Sequence, residues 1–272
     1  MLGLQSPRVG EPGKFFAAMK SRPEIENLPL LGALSASSRA ELLQHAVLHA
    51  VAPGTMLFEQ GEVPTFQHVV LAGSVQLLGR SSAGREVLIE VVEPPDLVIP
   101  AAVVTGAPYL MRARVPESSR LLLLQAEAFR SAVAREPALA QEVIFSLAGQ
   151  FRRLVRQIKN LKLRSATERV GCYLLALSKR QRTPHQAILP YEKNLVASEL
   201  GITRESFSRA LSALRAEGIS VRNDTISIRD EARLAAACGL DPLIDGPEGS
   251  LLLRKAVPRK ASKTSRSSRS HG

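Results

Sequence analysis

Arg204, Glu205, Ser208 and Arg209 carry the clearest chemistry in this chain. They place two forked cationic donors, a carboxylate acceptor and a small hydroxyl along about one and a half turns of a helix. Arginine can bond guanine O6 and N7 together, and glutamate can accept from cytosine N4, so the set suits the base edges of a DNA major groove. Thr203, immediately before them, belongs to the same DNA-facing group. Such a face needs a rigid helix whose other side is buried. Phe207, Leu211 and Leu214 recur at spacings of four and three, Thr203 can cap the N-terminus, and Gly218 ends the pattern. Upstream, Leu195, Val196 and Leu200 recur at helical spacing before Gly201, which accepts the left-handed geometry of a helix end. Residues 219–228 then alternate apolar and polar around the turn dipeptide Asn223-Asp224, the pattern of a two-stranded wing. The expectation is a winged helix-turn-helix whose second helix enters the major groove. An ordinary helical hairpin with a solvated face accounts for the two helices, but not for the wing or the base-reading set.

No comparable grouping suggests catalysis. The chain has no phosphate-binding glycine loop, HExxH, nucleophile elbow or cysteine–histidine motif, and its five histidines are scattered, so it does not read as an enzyme. Its 272 residues allow one large or two modest domains. The net charge of +11 points to a polyanionic partner. Much of it lies in residues 251–272, which contain no acid, and in a second acid-free cluster of Arg152, Arg153, Arg156, Lys159, Lys162 and Arg164. Cys172 and Cys238, the only cysteines, suggest no disulfide framework, and a reduced cytoplasmic protein is expected. The leucine run 121–124 is far too short to span a membrane, and no membrane partner is expected. Proline, glycine and charges interrupt the first residues, which do not read as a signal peptide.

Residues 1–22 read as a flexible leader. A helix is expected over 35–47, with Ser35 or Ser37 as cap and Leu42, Leu43 and Ala46 on its apolar side. From 51 onwards, Pro53-Gly54, Gly61-Glu62, Ala72-Gly73 and Ala83-Gly84 punctuate β-branched runs, which indicates an antiparallel roll or barrel. A further strand pair is expected at 111–115 and 119–124. Helical periodicity returns at Ala126, and Pro137 can restart a helix at its first turn. Ile144, Leu147, Phe151, Leu154, Ile158 and Leu161 then follow a 3-4-3-4-3 spacing, a heptad seam suited to dimerisation. The organisation read from this pattern is a leader at 1–22, a sensor domain at 23–135, a dimerisation helix at 136–164, a DNA-binding domain at 165–245 and a basic disordered tail at 246–272.

The segments PGTMLFEQGE, VVLAGSVQLL, ERVGCYLLAL and LVASELGITRESFSRALSALRAEGI, in that order, resemble the CRP/FNR family of bacterial transcription regulators over roughly residues 28–238. The core Glu205-Ser206-Phe207-Ser208-Arg209 looks most like the FNR branch, especially its nitric-oxide and denitrification regulators. The resemblance implies an α+β fold: an N-terminal antiparallel β roll of cyclic-nucleotide-binding type, a long dimerisation helix and a C-terminal winged helix-turn-helix. It further implies a homodimer on double-stranded DNA, working with RNA polymerase at an inverted repeat of a TTGAT-like half-site. Glu205 and Arg209 would contact bases, and Ser208 marks the branch. Arg204 occupies a place where the CRP branch also has a base-contacting arginine, so the motif is mixed.

The sensor departs from the family pattern. Members that bind cyclic AMP hold its phosphate with a Gly-Glu-Leu segment and an arginine shortly after. This chain reads Asp96-Leu97-Val98-Ile99-Pro100-Ala101-Ala102, with proline, which lacks an N–H, in the glutamate's place. Tyr109 takes the arginine's place, Arg112 and Arg114 are shifted from it, and Leu154-Val155 replaces the pair that meets adenine. Cyclic AMP is therefore not expected. Nor is an iron–sulfur cluster, because no cysteine precedes Cys172. Haem would suit an apolar site, with His45 and His49, four apart on one helix face, and His68 as candidate ligands. Two other readings remain: a sensor module that regulates a protein partner, and a constitutive DNA binder with no small-molecule effector. The first leaves residues 204–209 and the wing unexplained.

Overall fold

The structure, a computed structural model, describes residues 25, 28–32, 34–81, 84, 86–190 and 192–245. The leader expected at 1–22 and the tail expected at 246–272 lie outside the described residues. Two short helices, α1 (Pro29–Gly32) and α2 (Ala36–Gln44), come first. Ser35 caps α2 by accepting the Ser38 amide. The helix stops earlier than its pattern suggested: His45 is its C-cap, and 47 already lies in a strand. Pairing of 47–51 with a distant strand overrides the local helical periodicity.

Eight strands follow: β1 (Val47–Val51), β2 (Met56–Phe58), β3 (Phe66–Ala72), β4 (Val75–Arg80), β5 (Glu86–Val92), β6 (Asp96–Leu97), β7 (Arg112–Arg114) and β8 (Ser119–Gln125). They form two antiparallel four-stranded sheets, ordered β1-β8-β3-β6 and β2-β7-β4-β5. The strands expected as a pair near 111–124 do not pair with each other. β7 joins β2 and β4, whereas β8 joins β1 and β3. The chain crosses between the sheets here, so sequence adjacency misled. The leucine run finds its explanation in the same place. Leu121 enters the core between the sheets, while Leu122 and Leu124 enter a second core beneath the helices. Successive side chains of a strand point to opposite faces, so a strand covered on both faces is apolar throughout.

Helix α3 (Pro100–Thr105) interrupts the roll, and α4 (Ala126–Arg135) follows it. Pro137 then stands at the first turn of α5 (Pro137–Leu163), where its missing N–H costs nothing. Leu139 and Val143 bury the start of this 27-residue helix against the helical core, and the remainder leaves the roll. Ser165 and Glu168 close a reciprocal capping box that starts α6 (Ala166–Gln181). Next come β9 (Gln186–Ile188), α7 (Lys193–Glu199), α8 (Arg204–Ala213), a 3-10 turn (Leu214–Glu217), β10 (Ile219–Arg222) and β11 (Thr225–Ile228). Helices α9 (Glu231–Ala237) and α10 (Pro242–Asp245) end the described chain. The wing has a third strand, since β9 pairs with β11. Phe207, Val170, Leu174, Ile226 and Leu234 are central to one core beneath these elements.

Candidate nucleic-acid interface and sensor cavity

Helix α8 presents its polar N-terminal face to solvent. The Thr203 hydroxyl accepts the Ser206 amide at 3.2 Å and so fixes the start of the helix. Phe207, Ala210 and Leu211 are buried, while Thr203, Arg204, Glu205, Ser208 and Arg209 are exposed. Arg209 Nη2 donates to Ser206 Oγ at 3.1 Å, which lays the guanidinium along the helix. Glu205 sits in the first turn. Its own backbone N–H, the Thr203 hydroxyl and then Arg204 and Arg209 hold its carboxyl below the usual range. It therefore stays an acceptor at neutral pH.

The turn before α8 is tightly constrained. Gly201 has φ +64°, and a Cβ there would lie 2.4 Å from Leu161 Cδ2. The left-handed backbone calls for glycine, and a larger residue would also have to displace the Leu161 side chain. Beyond the turn, β10 and β11 flank α8 with the register Ile219–Ile228 and Arg222–Thr225.

Residues 168–237 match the Crp-like helix-turn-helix domain family, and residues 48–136 match the cyclic nucleotide-binding domain family. The chain belongs to the CRP/FNR family of transcription regulators. This CRP/FNR-type chain is 26% identical over 187 residues to the CRP-like cAMP-activated global transcriptional regulator of Mycobacterium tuberculosis, covering 67% of this chain and 84% of that protein. It is 25% identical over 191 residues to the fumarate and nitrate reduction regulatory protein of Salmonella typhi, covering 68% and 76%. The structure of FixK2 from Bradyrhizobium japonicum shares the fold, with a TM-score of 0.60 at 22% identity over 70% of this chain and 96% of that one. The regulator thus combines a DNA-binding helix-turn-helix with a cyclic-nucleotide-binding-like sensor domain. No helix among its described residues is long and apolar enough to cross a membrane.

The long helix α5 leaves an apolar row uncovered. Phe151 is 66% exposed and Ile144 59%, and Leu154, Ile158 and Leu161 are also exposed. Leu147 differs, because it packs partly on the helical core of its own chain. The neighbouring cations are less free than the sequence suggested. Arg153 pairs with Glu90 and Asp96, Lys159 with Asp241, and Arg164 with Asp245. The cluster is acid-free along the chain but not in space.

The histidines do not assemble. His45 caps α2 and His49 lies on β1, both exposed, so they share no helix face. His68 is buried on β3 with Nδ1 lacking a hydrogen-bond partner, and its ring centroid is 5.6 Å from that of Phe58. Burial, helped by His49, lowers its pKa to about 4, so the imidazole is neutral. Among the described residues no group of three or more His, Cys, Asp or Glu side chains could hold a metal ion.

Inside the roll, Tyr109 stacks on Phe58 with ring centroids 3.7 Å apart, and its hydroxyl donates to the Phe66 carbonyl at 3.4 Å. Arg112 is held by Glu59 and Glu86, and Arg114 donates to Gln76 at 3.0 Å. Pro100 begins α3, after Ile99 in left-handed geometry. A cavity of about 260 Å³ instead lies outside the two sheets, between the strand β6 corner, the segment around 28–30 and helix α5. Its helix side consists of Glu142, Phe145, Ser146, Gly149, Arg152, Arg153 and Arg156. The sequence reading missed it. Its signal was a second 3-4-3-4 stripe, Glu142, Phe145, Gly149, Arg152 and Arg156, too mixed in polarity to stand out.

Proposed function

We propose that this regulator acts as a homodimer, with α5 pairing through Ile144, Phe151, Leu154, Ile158 and Leu161 and with Leu147 at the inner margin. Each copy would present Arg204, Glu205, Ser208 and Arg209 to one half of an inverted, TTGAT-like repeat, with Thr203 at the helix start facing the backbone. The observation that carries this reading is the exposed α8 face, left unburied above a fully formed core. The uncovered row on α5 supports the dimer, since large contiguous apolar patches mark association sites. Two-fold pairing would set the recognition helices one DNA turn apart, roughly 34 Å. Promoter-bound dimers would then act with RNA polymerase. Selection from a randomised duplex library with the purified full chain tests the proposal. Enrichment of an inverted repeat is expected, and no enrichment at low salt would overturn it.

Control is assigned to an effector beside the roll that shifts α5, and it is not cyclic AMP. Pro100, the Tyr109–Phe58 stack and the engaged Arg112 support that exclusion. Saturable cyclic AMP binding in calorimetry would reverse it. Haem retains one candidate ligand: the neutral imidazole of His68 keeps a free nitrogen, whereas His45 and His49 face solvent. A Soret band on haem addition, lost in His68→Ala alone, is the signature required of that reading.

A further inference from the structure

Helix α5 carries two stripes of 3-4 spacing. The apolar row starts from Ile144, and the cavity stripe runs Glu142, Phe145, Gly149, Arg152 and Arg156. A two-residue offset on an α-helix is a rotation of about 200°. The cavity thus lies on the side of the helix opposite the exposed row, and a ligand there would not compete with a second copy.

The cavity's hydrogen-bonding groups narrow what it can hold. Ser146 Oγ donates to Asp96 at 2.8 Å, Gln150 Nε2 donates to the Leu97 carbonyl at 2.9 Å, and Arg153 is taken by Glu90 and Asp96 at 2.7 and 2.9 Å. Glu142 also has a partner. Arg152 and Arg156 have no hydrogen-bond or ion-pair partner among the described residues, and Arg156 Nε is shut away from solvent unsatisfied. A buried donor without an acceptor is costly, and an anion relieves that cost. The other walls are Leu28, Leu30, Val69, Leu97 and Phe145, which offer nothing to the edges of a nucleobase. From Phe145 to Arg156 the helix runs about 16 Å, room for an extended chain of about ten carbons.

We propose that this cavity binds a medium-chain acyl carboxylate, with Arg152 and Arg156 receiving the carboxylate and the apolar walls receiving the chain. Because the site joins α5 to the β6 corner, its occupant would bear on the position of the dimer helix. This deepens the effector-controlled reading by naming the ligand class.

Calorimetric titration of the full chain with sodium decanoate, below its micelle concentration and without DNA, tests the site. One saturable site per chain is expected. Binding should weaken about tenfold or more for decan-1-ol and for the Arg152→Gln/Arg156→Gln double variant. Gly149→Leu should abolish it by filling the cavity. A Cβ at Gly149 meets only Arg153 Nη1, at 3.7 Å, so the backbone does not bar a side chain there. Absence of saturable binding, equal binding of decan-1-ol, or unchanged affinity in the arginine pair would overturn the proposal. So would decanoate binding that survives Gly149→Leu with its melting temperature intact; if that variant is unstable, the alcohol and the arginine pair decide. Loss of decanoate binding leaves the DNA-reading proposal standing, and failure of the duplex selection leaves this site standing.

Discussion

Arg209 and Glu205 differ in what their removal should do, because one is a cation and the other an acceptor. Arg209→Ala should cost about 1–3 kcal/mol on the selected site and relax one base position. A competition footprint checks this, and equal weakening on random DNA would assign Arg209 to the phosphates instead. Glu205→Ala should relax selectivity without loss of random-sequence affinity. His68 makes a separate prediction about stability. Its pKa in the fold is about 4, well below the ordinary histidine value, so below neutrality the unfolded chain takes up a proton that the fold refuses. Stability is therefore whole above pH ~6.5 and falls by about 3 kcal/mol as the pH drops towards 4. Denaturant titrations of His68→Leu should lack that acid-side loss. They should also show little cost at neutral pH, because the orphaned Nδ1 disappears with the ring.

At the scale of elements, α5 carries the largest uncovered apolar surface described above. Burying a side chain such as Phe151 or Ile158 stabilises by about 1.5–3 kcal/mol. Leu154→Glu combined with Ile158→Glu should therefore give monomers in sedimentation velocity and lower affinity for the inverted repeat, with the monomer still folded. A persistent dimer would move the interface elsewhere. The same helix shows how far periodicity can be trusted. The six-residue apolar row was legible because leucine, isoleucine and phenylalanine repeat on it without interruption, and five of the six are exposed. Leu147 nevertheless turned partly inward, because the start of α5 lies on the helical core. The helix expected over 35–47 formed but ended at Gln44 for a related reason: β8 recruited 47–51 into a sheet, and His45 and His49 lost their common face.

On the scale of the molecule, the DNA-binding domain rests against the sensor's free sheet edge. The Leu88 amide on edge strand β5 donates to Ser198 Oγ on α7 at 2.9 Å, and Arg180 reaches Glu93 at 3.6 Å. Glu199 lines the cleft between them. Burial and nearby Glu93 push its carboxyl up to about 7, while Arg180 opposes the shift. A raised carboxyl favours docking when protonated, so docking is strongest in acid, weakens as pH rises from ~4.5 to ~7 and then levels off. Amide exchange at Leu88, corrected for the intrinsic rate, should lose protection over that window, and Glu199→Gln should remain protected throughout. Unaltered protection would mean that Glu199 does not bear on docking. The sequence alone determined helix α8, its cap, its core face, the wing hairpin and the long amphipathic helix, because each is a local pattern of period 3.6 or 2. It could not determine which sheet a strand joins, which carboxylate meets Arg153 or Arg164, or that two arginines without a partner among the described residues share a cavity with residues far away in the chain. The polar contacts among them join residues 53 to 81 apart, and the cavity brings Leu28 to Arg156 from still farther. Only burial and pairing across the folded molecule select among the many ways such segments can meet.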